Sequence, residues 1–142
     1  MAAPSSTPQR SHPSRPVRRF TLEQAQRALP LVKRIVADIV RTHGLASSCR
    51  DAVERTTGAR QASQAQHDLD AAIDRLEELV DELNDVGVEL KDYQSGLVDF
   101  VARHDGRDVY LCWKLGEERI THWHELNAGF AGRKPVSTLR ER

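Results

Sequence analysis

Cysteine is scarce in this chain: two residues in 142, Cys49 and Cys112. Two thiols cannot build the disulfide framework of a small secreted scaffold. Long apolar runs are absent as well, which excludes a membrane-spanning helix. Neither sign of charge is in excess, with 21 Lys and Arg against 21 Asp and Glu. That balance argues against a nucleic-acid binder held by broad electrostatics. A secretory signal needs an apolar core, and the N-terminus has none. The expected location is the cytoplasm. No Gly-rich phosphate loop follows a strand, and Gly129-Phe130-Ala131-Gly132-Arg133 lacks the Lys-Ser/Thr that such a loop uses.

The neutral total hides segregation. Residues 1–65 sum to +7 and the remainder to −7, and residues 66–92 carry ten acids against Arg75 and Lys91. Residues 1–19 hold four of the six prolines and no acid. Such a stretch buries too little apolar surface to offset the entropy of ordering it, so a disordered basic tail is expected.

Residues 20–135 read as one α+β domain, with 136–142 as a C-terminal tail. Thr21 and Gln24 have the spacing of a capping box. Pro30 disfavours helix at the residue before it. The expectation is therefore a short helix at 22–28 and a longer one from Pro30 to about residue 55. Its apolar positions, Val32, Ile35, Val36, Ile39, Val40, Ala46, Cys49 and Val53, recur at spacings of three and four. Thr56-Thr57-Gly58 is a break. A second helix is expected over about 66–86, with a coiled-coil seam of Leu69, Ile73, Leu76, Val80 and Leu83, ended by Gly87. The two helices should pack as an antiparallel hairpin.

Residues 88–125 change period and read as a three-stranded antiparallel β-meander. Asp105-Gly106 is a strong two-residue turn signal. It pairs Ala102 with Val109, Phe100 with Leu111 and Val98 with Trp113, all apolar and on one face. A third strand is expected at Ile120–Glu125. A loop of two or four residues sets Trp113 against His122 and Leu111 against His124. A loop of three sets Cys112 against His122 and Tyr110 against His124, and sends Trp123 into the core. The first is preferred by a small margin. A one-residue slip exchanges the faces completely. In either register the face away from the helices carries Tyr110, Cys112 and either Trp123 or the histidines. Covering that face with a second copy or with the C-terminal segment leads to an expected homodimer.

The run GLVDFVARHDGRDVYLCWKLGEERITHWHELNAGFAGRKP at residues 96–135, with FTLEQAQRALPLV at 20–32, resembles a bacterial family of small proteins, domain of unknown function 2203. The resemblance spans about residues 20–135 and rests on long motifs: VDF, VYLCWKLGE and HWHELNAGFAGR. It implies no established activity. Some members carry a label likening them to a coiled-coil cell-division protein, which the acidic heptad segment alone accounts for.

His122 and His124 are the densest ligand-type residues, with Cys112 and Asp99 on a neighbouring strand. His-x-His on a strand sets two imidazoles on one face about 7 Å apart. With Cys112 or Asp99 on the same face this can chelate zinc or another transition metal; only the three-residue loop allows it. The alternatives are imidazoles hydrogen-bonded in a core or interface, and a small-ligand pocket lined by Tyr110, Trp113 and Trp123 with Glu125 nearby. Cys112 with His122 also has the makings of a nucleophile and base. Phe130 is expected to turn into the core, with Arg133 binding an anion as the alternative. Cys49 reads as a small hydrophobe of the helix seam, and His43, His67 and His104 as surface residues. The leading functional expectation is a non-enzymatic interaction or assembly module acting as a homodimer. Its partner surface would be the helical hairpin. The alternative is a metal- or small-ligand-binding protein using His122 and His124.

Overall fold

Thr21 starts the first helix as its spacing requires. Its Oγ1 accepts from the Gln24 N–H at 3.1 Å, and the Gln24 side chain accepts from the Thr21 N–H at 2.9 Å. The computed structural model describes residues 17–142; of the expected tail over 1–19, residues 1–16 lie outside them, while Arg18 donates to the Val86 carbonyl at 2.9 Å and Arg19 pairs with Asp108 at 2.8 Å, so the ordered chain starts before Phe20. Helix α1 then runs unbroken over Leu22–Arg55, with Pro30 inside it. The expected break at Leu29 does not occur. Leu29 and Val32 on either side of the proline are both buried in one stripe with Ala25, Ile35, Val36 and Ile39. That burial outweighs a loss of roughly 3 kcal/mol for an interior proline. Pro30 itself faces solvent, where water can take the carbonyl that its missing N–H leaves free.

Thr56, Thr57 and Gly58 turn the chain, and helix α2 spans Ala59–Val86. It begins seven residues earlier than its heptad seam suggested, and Ala65 in that added stretch is buried. Gly87 closes it at φ +97°, with its N–H shared between the carbonyls of Leu83 and Asn84. That left-handed cap favours glycine.

Five antiparallel strands follow, not three: β1 Val88–Asp92, β2 Leu97–His104, β3 Arg107–Lys114, β4 His122–Glu125 and β5 Lys134–Pro135, in that spatial order. The β2–β3 hairpin has the register set by its Asp105-Gly106 turn, from Val98↔Trp113 to His104↔Arg107. β1 pairs Val88 with Phe100 and Leu90 with Val98. Its alternation is only two apolar residues long, too short to read from sequence. β4 takes the register that was not preferred, Tyr110↔His124 and Cys112↔His122. The reason is Trp123, which this register buries to 2% exposure on the helix side. Hiding an indole contributes more than hiding an imidazole. β4 also begins at His122 and not at Ile120. Residue 120 is instead clamped to α1, its N–H and carbonyl each bonded to the Gln26 side chain at 3.0 and 2.9 Å.

The core lies between the helices and one face of the sheet. Val98, Phe100, Ala102, Val109, Leu111, Trp113 and Trp123 meet Leu29, Val32, Val36, Ile39, Leu79 and Leu83. Trp113 and Trp123 therefore belong to the core. Trp113 Nε1 donates to the Glu117 carbonyl and Trp123 Nε1 to Thr138 Oγ1, each at 2.9 Å. The outer ends of the helices form a separate small cluster of Ala46, Leu69 and Ala72, with Cys49, Val53 and Ile73 beside it.

Two expectations about single residues are corrected. Phe130 is 46% exposed, with the Arg133 guanidinium 4.3 Å and the Lys114 ammonium 5.8 Å from its ring centre. His104 is buried and packs 4.3 Å from the Trp123 ring. It is satisfied there because its Nδ1 accepts from the Arg140 N–H at 2.9 Å. Residues 136–142 run back over the domain. Arg140 pairs with Asp105, and Glu141 accepts from the Leu22 N–H. Among the described residues, no helix is long and apolar enough to cross a membrane.

Candidate metal centre

The outer face of the sheet gathers the polar residues that the β4 register aligns. Asp99 on β2 and Cys112 on β3 are direct cross-strand partners, and Cys112 in turn faces His122 on β4. His124, two residues further along β4, leans back over the same face. The ligand atoms of Asp99, Cys112 and His124 lie within 4.8 Å of one another, and all three residues are buried. Of the four candidate ligands, His122 does not join them. It is half-buried, and its Nδ1 pairs with Thr121 Oγ1 at 2.8 Å.

His124 has a defined tautomer. Its Nδ1 lies 2.7 Å from the Glu125 carbonyl oxygen, which only accepts, so Nδ1 carries a proton. Its Nε2 then faces Asp99 Oδ1 at 3.2 Å. Two lone pairs cannot share that space, so a proton or a cation stands between them. Burial pushes the Asp99 carboxyl above its usual range, against the charge and hydrogen bond of His124. The Cys112 thiol is pushed up to about 11, first by burial and then by the Asp99 charge, with the neighbouring Arg133 pulling the other way.

The arrangement argues against the alternative of Cys112 as a nucleophile. A cysteine nucleophile needs a lowered pKa and a free base. Cys112 has the opposite shift, His122 is turned to Thr121, and both ring nitrogens of His124 are engaged. A divalent ion placed among these groups would, by contrast, take the place of the thiol proton and of the proton between His124 and Asp99.

The sequence profile of a family of uncharacterised conserved proteins, DUF2203, matches residues 18–136. The chain belongs to the DUF2203 family. No curated protein matches it, and no solved structure does. The family assignment therefore brings no activity with it, and the chemistry of this DUF2203 chain has to be read from its own residues.

The remaining site residues of the DUF2203 chain divide by face. Glu125 opposes Val109, so it lies on the helix side of β4, held by Arg107 at 2.9 and 2.6 Å. Tyr110 stays on the outer face, its ring 5.5 Å from that of His124. Arg133 makes a 3.4 Å contact with Glu117, and its charge acts on the Cys112 thiol. Sequence reasoning missed Lys91 and Glu117. Lys91 sits over the Tyr110 ring at 4.7 Å and within electrostatic reach of Asp99. Its signal was the unrecognised strand β1, which sets Glu89 opposite Asp99 and places Lys91 at the irregularity after Leu90. Glu117 gave no signal, since a turn residue reads as solvated.

Proposed function

We propose that this protein binds one divalent transition metal through Asp99 Oδ, Cys112 Sγ and His124 Nε2. The observation that carries the reading is the convergence of these three buried ligand atoms within 4.8 Å. One carboxylate, one thiol and one imidazole form a borderline-soft set that suits zinc. The Nδ1–H···O=C bond to Glu125 is the outer contact that metal-bound histidines commonly make, and it holds Nε2 toward the site. Cys49 and Cys112 are unpaired, which suits the reducing cytoplasm that we assign to the protein.

The test is metal analysis of the full chain purified without a His tag, followed by zinc titration. One equivalent per chain is expected. H124A and C112A should lose it, and H122A should retain it. No bound metal together with no thermal shift on adding zinc overturns the proposal.

A second reading, a homodimeric interaction module, draws on the outer half of the helical hairpin. Leu45 is 56% exposed there, beside a groove of about 730 Å³ lined by Cys49, Ala71 and Ala72. A leucine next to small residues on one patch can pack against its own copy. Light scattering at micromolar concentration should then give a dimer, and L45E a monomer. A wild-type monomer removes this reading and leaves the metal site intact.

A further inference from the structure

His104, the last residue of β2, is 5% exposed and has a defined tautomer. Its Nδ1 lies 2.9 Å from the backbone nitrogen of Arg140, a group that only donates, so Nδ1 carries a lone pair. The ring proton is therefore on Nε2, which faces Asp105 Oδ2 at 3.3 Å. The Trp123 ring covers the imidazole at 4.3 Å. The bond to Arg140 belongs to a short backbone ladder. The Asp105 N–H donates to the Arg140 carbonyl at 3.0 Å, and the Gly106 N–H to the Arg142 carbonyl at 2.8 Å. Upstream, Thr138 is tied separately, to Trp123 Nε1 at 2.9 Å and to the Pro135 carbonyl at 2.6 Å. The geometry points to a pH-sensitive latch: neutral His104 holds Leu139–Arg142 across the β2–β3 turn, and its protonation at Nδ1 releases them. The latch lies on the core side of the sheet, so it is independent of the metal reading.

The direction follows from the hydrogen bonds. A proton on Nδ1 sets two N–H donors against each other. Turning the ring brings no relief, because both nitrogens of an imidazolium donate. The charges that face the ring are matched. Asp105 in the turn and Glu125 on β4 favour a cation there, and Arg140 and Arg107 oppose it. Each acid is already held by one of those arginines, Asp105 by Arg140 and Glu125 by Arg107, and Lys134 stands 4.0 Å from Glu125. The lost bond to Arg140 then sets the sign. The docked segment needs an unprotonated Nδ1 and the released segment does not, so docking weakens as pH falls. Asp105 adds nothing to this above about pH 5, since its hydrogen bond with Arg140 holds its carboxyl down to about 2. Release takes the Glu141 carboxylate off the Leu22 N–H in the first turn of α1 and lifts Leu139 from the core.

The experiment is NMR of the full isotope-labelled chain between about pH 8 and pH 5, the range over which histidines change charge. At the upper end the ring spectrum should show the His104 proton on Nε2. On acidification the Asp105 and Gly106 amides, corrected for intrinsic exchange, should lose about five- to a hundredfold in protection. Residues 139–142 should gain fast motion over the same range. H104N keeps an acceptor for the Arg140 N–H and cannot take up a proton, so its protection should not change with pH. If H104N does not fold, the wild-type titration decides alone. A proton on Nδ1 at the upper end, protection that does not fall on acidification, or an equal fall in H104N each overturns the proposal.

Discussion

Replacing Asp99 by asparagine should have opposite effects on the protein with and without metal. In the metal-free chain, Asp99 is 3% exposed and its carboxyl is raised above the usual range by burial. A raised carboxylate binds more protons when folded than when unfolded. Stability therefore falls as pH rises from about 4 through the raised value. Asparagine removes that dependence. Its amide can donate to His124 Nε2, which already has its proton on the other ring nitrogen. The bond being replaced is 3.2 Å, long for a charge-assisted pair. Neutral replacements of buried ion pairs are often neutral or stabilising, so D99N should leave the metal-free protein unchanged or raise it by about 1 kcal/mol at pH 7. With zinc the order reverses. At free zinc about a thousandfold above Kd, wild type gains about 4 kcal/mol by mass action, and D99N gains little. For a domain of this size 1 kcal/mol moves Tm by roughly 3–5 °C, so the wild-type shift should be about 12–20 °C. Thermal unfolding of both proteins, with chelator and with zinc, reads all four numbers. Should D99N lose 3 kcal/mol or more in chelator, the Asp99–His124 pair is a structural ion pair and the reasoning fails. An unchanged stability order on adding zinc refutes it equally.

Other consequences follow from the frame around the site. Arg140 holds the Asp105 carboxyl down to about 2, so this contact stabilises above about pH 4 and is lost as pH falls through 2. Acid unfolding should show that dependence in wild type and lack it in D105N. Gly96 sits at φ +72°, and an added Cβ would meet Leu115 and Val36 at 2.8 Å. G96A should cost about 2–4 kcal/mol in urea unfolding, from the left-handed backbone and the overpacking together. G106A, at φ +81° with nothing within 4 Å, should cost only about 1–2 kcal/mol and serves as its control.

Much of the fold was legible because the local signals were strong. The capping box at Thr21, the glycine cap at Gly87 and the Asp105-Gly106 turn each fix backbone within a few residues. Their outcomes matched. The misread features depend on burial that sequence spacing cannot weigh. Pro30 sits inside a helix because the stripe from Ala25 to Ile39 is buried on both sides of it. β1 and β5 exist because β2 and β4 offer them edges to pair with.

The site depended on one such choice. His122, His124, Cys112 and Asp99 stood out as ligand types. Which of them meet is decided by the β4 register, and that register is set by the burial of Trp123. A seven-residue connection from Leu115 to Thr121, pinned to Gln26 at Ile120, gives no short-range turn from which to count. The same alternation moved Glu125 and Trp123 to the core side, where the β2–β3 pairing had already set Trp113. Lys91 and Glu117 became visible only once the strands were aligned.

X-ray absorption at the zinc edge of the full chain, loaded with one equivalent, tests the central claim most directly. The account predicts one sulfur ligand near 2.3 Å, an imidazole nitrogen near 2.0–2.1 Å and oxygen for the rest, in four-coordinate geometry. The sulfur should vanish in C112A and the imidazole signature in H124A, while H122A leaves the spectrum unchanged. A first shell of oxygen alone, or one indifferent to C112A and H124A, would contradict it.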